Sequence, residues 1–375
     1  MFMDVSSEMI HSLLPVFLVG ELGLNTLTVG LIEGIAESTA AITKIFAGVV
    51  SDWIGKRKPL VLLGYGMAAL TKPLFPLATG AGTVFTARFL DRIGKGIRGA
   101  PRDALVADLT PEPMRGAAYG IRQSMDTIGA FAGPALALAL MTLSHSNFRF
   151  VFWIAVLPAV ISVAFVVFGV QEPETHSAGG YRRFPLRRVE VARLGPKFWL
   201  VVAFAAILTL ARFSEAFLLL RAANVGLAAA YVPAVLIAMN VVYAASAYPF
   251  GRLSDRLNRD RLLAVGIGFL IAADLVLATA NTTWLVLAGS VLWGLHMGAT
   301  QGLLTTIVAS TAPADLRATA FGLFNLVTGG TLLLASVLAG FLWTAYGPSV
   351  TFFAGAAFST IALAGLVVRR SRSTA

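Results

Sequence analysis

The chain has 375 residues, 57% of them hydrophobic and only 13% charged, with a net charge of +10 and a mean hydropathy of +0.79. Soluble domains carry about 25% charged residues, so a water-soluble fold of this size has no means of hiding so much apolar surface, and lipid is the expected solvent. The absence of cysteine excludes disulfides, thiolate metal sites and a cysteine nucleophile. The positive balance, which in a soluble chain would suggest nucleic acid, reads here as the inside-positive bias of a membrane protein.

In lipid the backbone must satisfy itself within helices or a closed barrel. The apolar runs are continuous and about twenty residues long, which is the length of a transmembrane helix and not of an alternating barrel strand. Met1 is followed by Asp4 and Glu8, so the chain opens without the basic start of a cleavable signal peptide. Twelve spans are predicted, near 1–21, 28–50, 59–78, 84–108, 116–143, 149–170, 198–220, 230–251, 261–280, 284–309, 317–344 and 349–368. Most connections are short. The exception, 171–197, holds Pro173, Pro185, Pro196, Gly179, Gly180, Arg182, Arg183, Arg187, Arg188, Arg193 and Lys197. The expected organisation is therefore an N-terminal six-helix bundle over 1–170, a basic linker over 171–197 and a C-terminal six-helix bundle over 198–375.

Basic residues crowd alternate loops. Lys56, Arg57 and Lys58 follow span 2, Arg115 follows span 4, and the linker follows span 6. Arg252, Arg256, Arg259 and Arg261 follow span 8, Arg317 follows span 10, and Arg369, Arg370 and Arg372 close the chain. The other loops hold little more than Arg149 and Arg221. This asymmetry puts the linker and the C-terminus in the cytoplasm.

One loop occurs twice. Gly48-Val49-Val50-Ser51-Asp52-Trp53-Ile54-Gly55-Lys56-Arg57-Lys58 closes span 2, and Gly251-Arg252-Leu253-Ser254-Asp255-Arg256-Leu257-Asn258-Arg259-Asp260-Arg261 closes span 8, 203 residues later. The repeat extends further. Val106, Ala107, Pro111, Arg115, Ala118, Tyr119 and Gly120 align with Val308, Ala309, Pro313, Arg317, Ala320, Phe321 and Gly322, and Ser7-Glu8 aligns with Ser214-Glu215. Such a duplication means two similar membrane bundles and points to a solute carrier working by alternating access. By the same symmetry the first helix lacks about ten residues at its cytoplasmic end. Two explanations stand: a misassigned start, or a shortened first helix.

The first of the two loops resembles the signature of the major facilitator superfamily, and the resemblance covers the whole chain. It implies an all-α membrane fold of twelve helices in two pseudo-symmetric six-helix bundles, with helix 1 shortened. It also implies a cytoplasmic gate built from Gly48, Asp52, Gly55, Lys56, Arg57 and Lys58, with Gly251, Asp255, Arg256 and Arg259 in the second copy. In that gate Gly48 allows close helix packing, Asp52 accepts hydrogen bonds from a helix N-terminus, expected to be that of helix 11, and the cations meet the anionic leaflet. Asn258 and Asp260 interrupt the second copy, whose latch is expected to be weaker. Arg88, Asp91, Arg92 and Gly94 resemble the family's helix 4 motif. Within the family, strings such as Asp4-x-x-Ser7-Glu8-Met9 resemble a bacterial branch, which implies the bacterial inner (plasma) membrane.

Gly94-x-Gly96-x-x-Gly99 also spells a dinucleotide fingerprint, but no strand precedes it, so that reading is rejected. Around it Arg88, Arg92, Lys95, Arg98 and Arg102 recur every three or four residues and stack along one helical face. A charge in mid-bilayer costs about 2.5–3.5 kcal/mol on insertion scales, so these cations must line a wet cavity or pair with carboxylates. Acids are at hand. Asp4 and Glu8 lie a turn apart on helix 1, as do Glu33 and Glu37 on helix 2, with Lys44 two turns on. Arg122 and Asp126 are spaced i,i+4 on helix 5, Arg212 and Glu215 i,i+3 on helix 7, and Asp274 is alone on helix 9. Carboxylates in a low-dielectric cavity take up protons readily. Glu8, Glu33 and Glu37, with Asp4 and Asp126, are the proton-coupling candidates. Arg92, Lys95 and Arg98 are the candidates for holding an anionic group, or else for tuning the acids. For each of these residues a structural interhelix ion pair is the competing reading.

Gly129-x-x-x-Gly133-Pro134 on helix 5 resembles in part the antiporter motif of proton-coupled exporters, although Arg122, Ala137 and Leu138 depart from it. Its physical content is close packing and a bend at Pro134. Arg122, Arg212, Glu215, Asn240, His296, Gln301 and Asn325, with Tyr243 and Thr300, complete the candidate substrate contacts. His296-Met297 is a weak soft-metal pair beside the alternative of a packed histidine bonded to backbone, and no metal site is assigned. No nucleophile–base or metal-ligand constellation is visible, so neither an enzyme nor a cofactor is expected.

The expected function is secondary active transport of a small solute by alternating access, coupled to protons, as efflux of a drug or metabolite. One alternative is uptake or exchange of a small organic anion. Another is a non-transporting receptor or assembly protein. The expected partners are a small-molecule substrate, the proton and the lipid bilayer, without nucleic acid, for a monomeric protein.

Overall fold

The computed structural model describes residues 1–54, 56–111, 114–172, 193–254, 258–311 and 316–374, with backbone alone at 49, 52, 107, 115–117, 254, 305–306, 309–310, 317–319 and 368–374. Gly55, Asp255, Arg256 and the linker residues between Pro173 and Arg188 lie outside the described residues, as does the Asp52 side chain. Among the described residues every regular element is a helix.

In chain order the spans are α1 (Phe2–Glu21), α2 (Thr26–Ile54), α3 (Lys58–Thr71), α4 (Ala81–Leu109), α5 (Arg115–Leu143) and α6 (Phe148–Gly169). They continue as α7 (Pro196–Asn224), α8 (Pro233–Ser254), α9 (Arg259–Thr279), α10 (Thr283–Thr311), α11 (Arg317–Tyr346) and α12 (Pro348–Thr374). Among the described residues, eight segments are long and apolar enough to cross a membrane by length and composition. At 14 residues, α3 is too short for that test, and α4 carries the row of cations. The first span covers 20 residues and its repeat partner α7 covers 29.

The chain forms two compact units, Met1–Leu22 with Ile35–Pro185, and Gly23–Gly34 with Leu186–Ala375. The start of α2 thus belongs to the second unit. There Thr26 Oγ1 lies 2.8 Å from Thr344 Oγ1 of α11, and a Cβ added at Gly340 would lie 2.6 Å from the Thr26 carbonyl oxygen.

Small residues set the packing of the first unit. A Cβ on Gly94 of α4 would fall 2.6 Å from the carbonyl oxygen of Gly64 on α3, and one on Gly96 would fall 2.6 Å from Thr43 Cβ on α2. Gly48 of α2 faces Ala100 of α4 at 3.3 Å. The apparent dinucleotide fingerprint is therefore a helix with glycines on two packed faces. On α5, Gly129 and Gly133 receive Asp4 and Glu8 of α1, whose Cβ atoms would meet added methyls at 2.7 and 2.6 Å.

Helix ends are satisfied by specific side chains. Glu172 accepts from the backbone N–H groups of Arg57 at 2.6 Å and Lys58 at 2.7 Å, capping the start of α3. Glu172→Ala should cost about 1 kcal/mol through loss of this cap, measured as lower thermal stability in detergent, and an unchanged melting temperature would refute it. The arginines of the sparsely charged loops close helix C-termini. Arg149 donates to the Pro76 and Ala78 carbonyls at 2.5 and 2.9 Å. Arg221 donates to the carbonyls of Leu277 at 3.0 Å, Ala278 at 3.3 Å and Ala280 at 2.7 Å. In the second loop copy, Asn258 caps α9 by accepting from the Asp260 N–H at 2.8 Å, which gives the residue in place of the glycine a capping role.

One expectation needs correction. Arg212 and Glu215 do not share a continuous helix, because α7 is broken into Pro196–Ala211 and Ala216–Asn224. The Ser214 N–H donates instead to Ser336 Oγ of α11 at 3.3 Å, and Ser214 Oγ accepts from the Ala216 N–H at 3.3 Å. Side-chain hydroxyls thus take over backbone bonding where the ladder stops.

Candidate functional site

In the first unit the cations of α4 form a charge network with α1, α2 and the end of α3. Lys72, in the 3₁₀ turn that extends α3, donates to Asp91 Oδ1 at 2.8 Å and to Ser7 Oγ at 2.9 Å. Lys72 and Asp91 are 1% and 2% exposed. Arg92 Nε lies 3.8 Å from the other Asp91 oxygen, and its Nη1 pairs with Glu37 at 3.0 Å. Arg88 Nη2 sits 3.7 Å from Glu37 and 2.8 Å from His11 Nδ1. A guanidinium only donates, so in this contact Nδ1 of His11 is the acceptor. One polar chain therefore joins four helices.

Further along α4, Arg98 lies over the Tyr65 ring at 4.8 Å. Arg98 is buried, and its Nη1, like Arg92 Nε, has no hydrogen-bond partner among the described residues. Lys95, between them, is exposed and lies in the field of Arg92 first, then of Glu37, Glu8 and Arg98. Asp4 bonds the Met1 amine at 2.9 Å and lies in the field of Arg98 and Arg102. In this cluster Lys72, Arg88, Arg92, Lys95, Arg98 and the Met1 amine stand against Asp4, Glu8, Glu37 and Asp91, so positive charge is in excess.

Toward the C-terminal end of α4 a second group closes on itself. Arg122 contacts Asp126 at 3.0 Å and Asp103 at 3.3 Å, while Arg102 contacts the same two acids at 3.4 and 3.6 Å. Two arginines balance two aspartates, so Arg122 and Asp126 are bound into an interhelix ring. The basic loop is also tied to its own unit. Arg57 reaches Ser51 at 2.7 Å and Asp108 at 3.4 Å, Lys58 donates to the Val167 carbonyl at 3.0 Å, and Lys56 is exposed.

In the second unit Arg212 stands at the break in α7 and lines a cavity of about 260 Å³ with Thr209, Gln301 and Thr328 at polar positions and Leu304 and Phe324 at apolar ones. Gln301 Oε1 accepts from Tyr243 at 2.8 Å. Of the other candidates, Asn240, Glu215 and Asn325 are half-buried. His296 is fully buried, with Nδ1 2.7 Å from the Gly266 carbonyl. Glu33 is fully buried and belongs to the second unit, whereas Glu37 belongs to the first. Gly251 and Arg259 are exposed.

Sequence reasoning missed Lys72, His11, Tyr65 and Glu172. Lys72 falls at a helix end before Pro73, where a lysine ordinarily reaches water. A signal was available in Asp91, a buried acid with no other cation assigned to it.

Both halves of the chain, residues 1–221 and 216–375, match the model of the Major Facilitator Superfamily. An uncharacterised MFS-type transporter of Methanocaldococcus jannaschii is 32% identical over 366 residues, covering 96% of this chain and 89% of that protein. The inner membrane transport protein YajR of Escherichia coli is 23% identical over 347 residues, covering 90% and 74%. Among solved structures, the nucleoside transporter NupG superposes with a TM-score of 0.79 at 15% identity, covering 98% of this chain and 96% of that one. The helical spans, the duplicated loop and these full-length likenesses lead to one conclusion: the chain belongs to the Major Facilitator Superfamily, as a multi-pass membrane transport protein.

Proposed function

We propose that the protein is a secondary transporter that works by alternating access of two bundles, 1–170 and 198–375, and that its solute carries an anionic group held by Arg92, Lys95 and Arg98. The observation that carries this reading is the excess positive charge of the α4 network, together with the buried Arg98 Nη1 that lacks a partner among the described residues. A buried guanidinium donor without an acceptor is costly, and a solute carboxylate or phosphate supplies the acceptor. Arg212, at the polar end of the second-unit cavity, is a further anion contact.

Proton coupling enters through Glu37, whose side chain is 30% exposed beside Arg92. A proton on Glu37 releases Arg92 and Arg88 for the solute, so proton and anion load together. Glu8 and Asp4, seated on α5, are the next carriers in line. The protein acts as a monomer in the inner (plasma) membrane with linker and C-terminus cytoplasmic, and the loop from Gly48 to Lys58 with its copy serves as the cytoplasmic gate.

Thermal protection by anionic and cationic compound libraries tests the anion reading. Arg98→Gln should weaken protection by an anion at least about tenfold, equivalent to about 1.4 kcal/mol. Protection by lipophilic cations alone would dismiss it. In proteoliposomes Glu37→Gln should retain solute binding and lose acceleration by a proton gradient. Absence of any flux from the wild type would favour a receptor or assembly role instead.

A second reading, proton-coupled efflux of a drug or metabolite, is favoured by one observation: Gly129 and Gly133 of the partial exporter motif are what seat Asp4 and Glu8. Its mark is solute accumulation inside everted vesicles whose lumen is acidic.

A further inference from the structure

Three helices of the second unit converge on the cavity of about 260 Å³, which lies wholly within that unit. Thr209 and Arg212 of α7 are spaced i,i+3 and share a face, as do Gln301 and Leu304 of α10, while Phe324 and Thr328 of α11 are spaced i,i+4. The α7 helix stops after Ala211, so Arg212 stands at its end with φ −102° and ψ 58°. Thr209, Arg212, Gln301 and Thr328 are half-buried, within reach of a ligand in the cavity.

The hydroxyl hydrogens of this lining are already in use. Thr209 Oγ1 donates to the Ala205 carbonyl at 2.7 Å. Thr328 Oγ1 donates to the Phe324 carbonyl at 2.7 Å and lies 3.4 Å from that of Asn325. A hydroxyl has one hydrogen and two lone pairs, so each threonine spends its donor on its own helix and offers the cavity an acceptor. The Tyr243 hydroxyl likewise gives its hydrogen to Gln301 Oε1 at 2.8 Å. Arg212 can only donate. It lies in the field of Glu215 and then of Tyr243, and it is the one charged residue among the described residues that line the cavity. Leu304 and Phe324 supply an apolar wall.

We propose that this cavity binds a compact hydroxylated monocarboxylate of the sugar-acid class, with its carboxylate at Arg212, its hydroxyls at Thr209 and Thr328, and its C–H face against Phe324 and Leu304. Arg212 as the carboxylate contact rests on the anion reading above; the hydroxyl contacts do not. One guanidinium forks onto one carboxylate, so a single negative charge is matched and a second is not. Two oxygens with no hydrogen left to give call for a ligand that brings its own O–H groups. A site built to bond a hydroxyl discriminates against the analogue that lacks it, because the acceptors are then left unmet. The volume falls below the range of about 300–1,000 Å³ for pockets that take drug-sized ligands, which favours a metabolite over a bulky amphipathic drug.

Calorimetric binding of three ring compounds to the purified full chain separates these contacts. Glucuronate carries both carboxylate and hydroxyls, cyclohexanecarboxylate carries the carboxylate on a bare ring, and glucose carries hydroxyls without a charge. Glucuronate should bind more tightly than either by at least about tenfold, the worth of one or two hydrogen bonds. Thr209→Val and Thr328→Val should each weaken glucuronate by about tenfold and leave cyclohexanecarboxylate unchanged, while Thr209→Ser and Thr328→Ser keep the wild-type preference. Arg212→Gln should weaken both acids and leave glucose unchanged. Cyclohexanecarboxylate binding as tightly as glucuronate overturns the hydroxyl contacts and leaves the anion reading standing. Glucose binding as tightly as glucuronate overturns the anion reading at Arg212, and the sugar-acid assignment with it. Failure of glucuronate to bind the wild type at millimolar concentration overturns the assignment outright, and these wild-type comparisons decide the matter even where a valine variant fails to fold.

Discussion

Asp91→Asn should destabilise the protein by about 3–5 kcal/mol, the cost of removing one partner of a buried ion pair. Lys72 and Asp91 are almost without solvent contact and lie 2.8 Å apart. Without the carboxylate charge, the lysine keeps Ser7 Oγ and an uncharged amide oxygen as acceptors in the same buried pocket, and Arg92 loses the charge 3.8 Å from its Nε. An apolar double variant, Lys72→Met with Asp91→Leu, should recover most of the loss, since uncharged residues of similar volume often replace a buried pair without penalty. Thermal unfolding in detergent, supported by size-exclusion profiles, measures both. If the double variant is as unstable as the single, the ion pair is not the source of the effect.

Gly94→Val should also destabilise the protein, for a different reason. Its Cβ would fall 2.6 Å from the Gly64 carbonyl oxygen and 3.2 Å from the Ala68 nitrogen. These are backbone atoms of α3, so α3 and α4 must separate. Overpacking of this kind costs about 1–3 kcal/mol, occasionally more. The displacement also reaches function, because Arg92 and Arg98 flank Gly94 on the same helix, and solute protection should fall with stability. Gly99→Ala is the control: the atoms nearest its methyl belong to the flexible Lys44 side chain at 3.4–3.5 Å, and its stability should stay close to wild type. Equal stability of Gly94→Val and Gly99→Ala would show that the glycine pattern is not a packing device.

The two variants also separate what pattern conveys from what contact adds. Twelve spans were visible because lipid demands long apolar runs, and the repeat of Gly48–Lys58 at Gly251–Arg261 announced the duplication. The cationic face of α4 followed from helical periodicity alone. The structure then distributed those cations unevenly. Arg102 and Arg122 are neutralised in a ring with Asp103 and Asp126, whereas Arg98 keeps a buried donor without an acceptor among the described residues. Spacing along one helix carries no information on which acid of another helix lies opposite. The break in α7 escaped for a similar reason: the Arg212–Glu215 stretch holds no proline or glycine, and Ser336 from a distant helix supplies the bond that stabilises it.

The sequence by itself determined the solvent, the number of spans and the family, since each is a consequence of composition, periodicity or repetition along the chain. Only the tertiary structure decided that Lys72 belongs to Asp91, that Glu37 spans Arg88 and Arg92, and that Asp274 meets a glycine instead of a cation. Partner choice among buried charges is a matter of distances near 3 Å between helices remote in sequence, and those distances are set by which small residues let the helices approach.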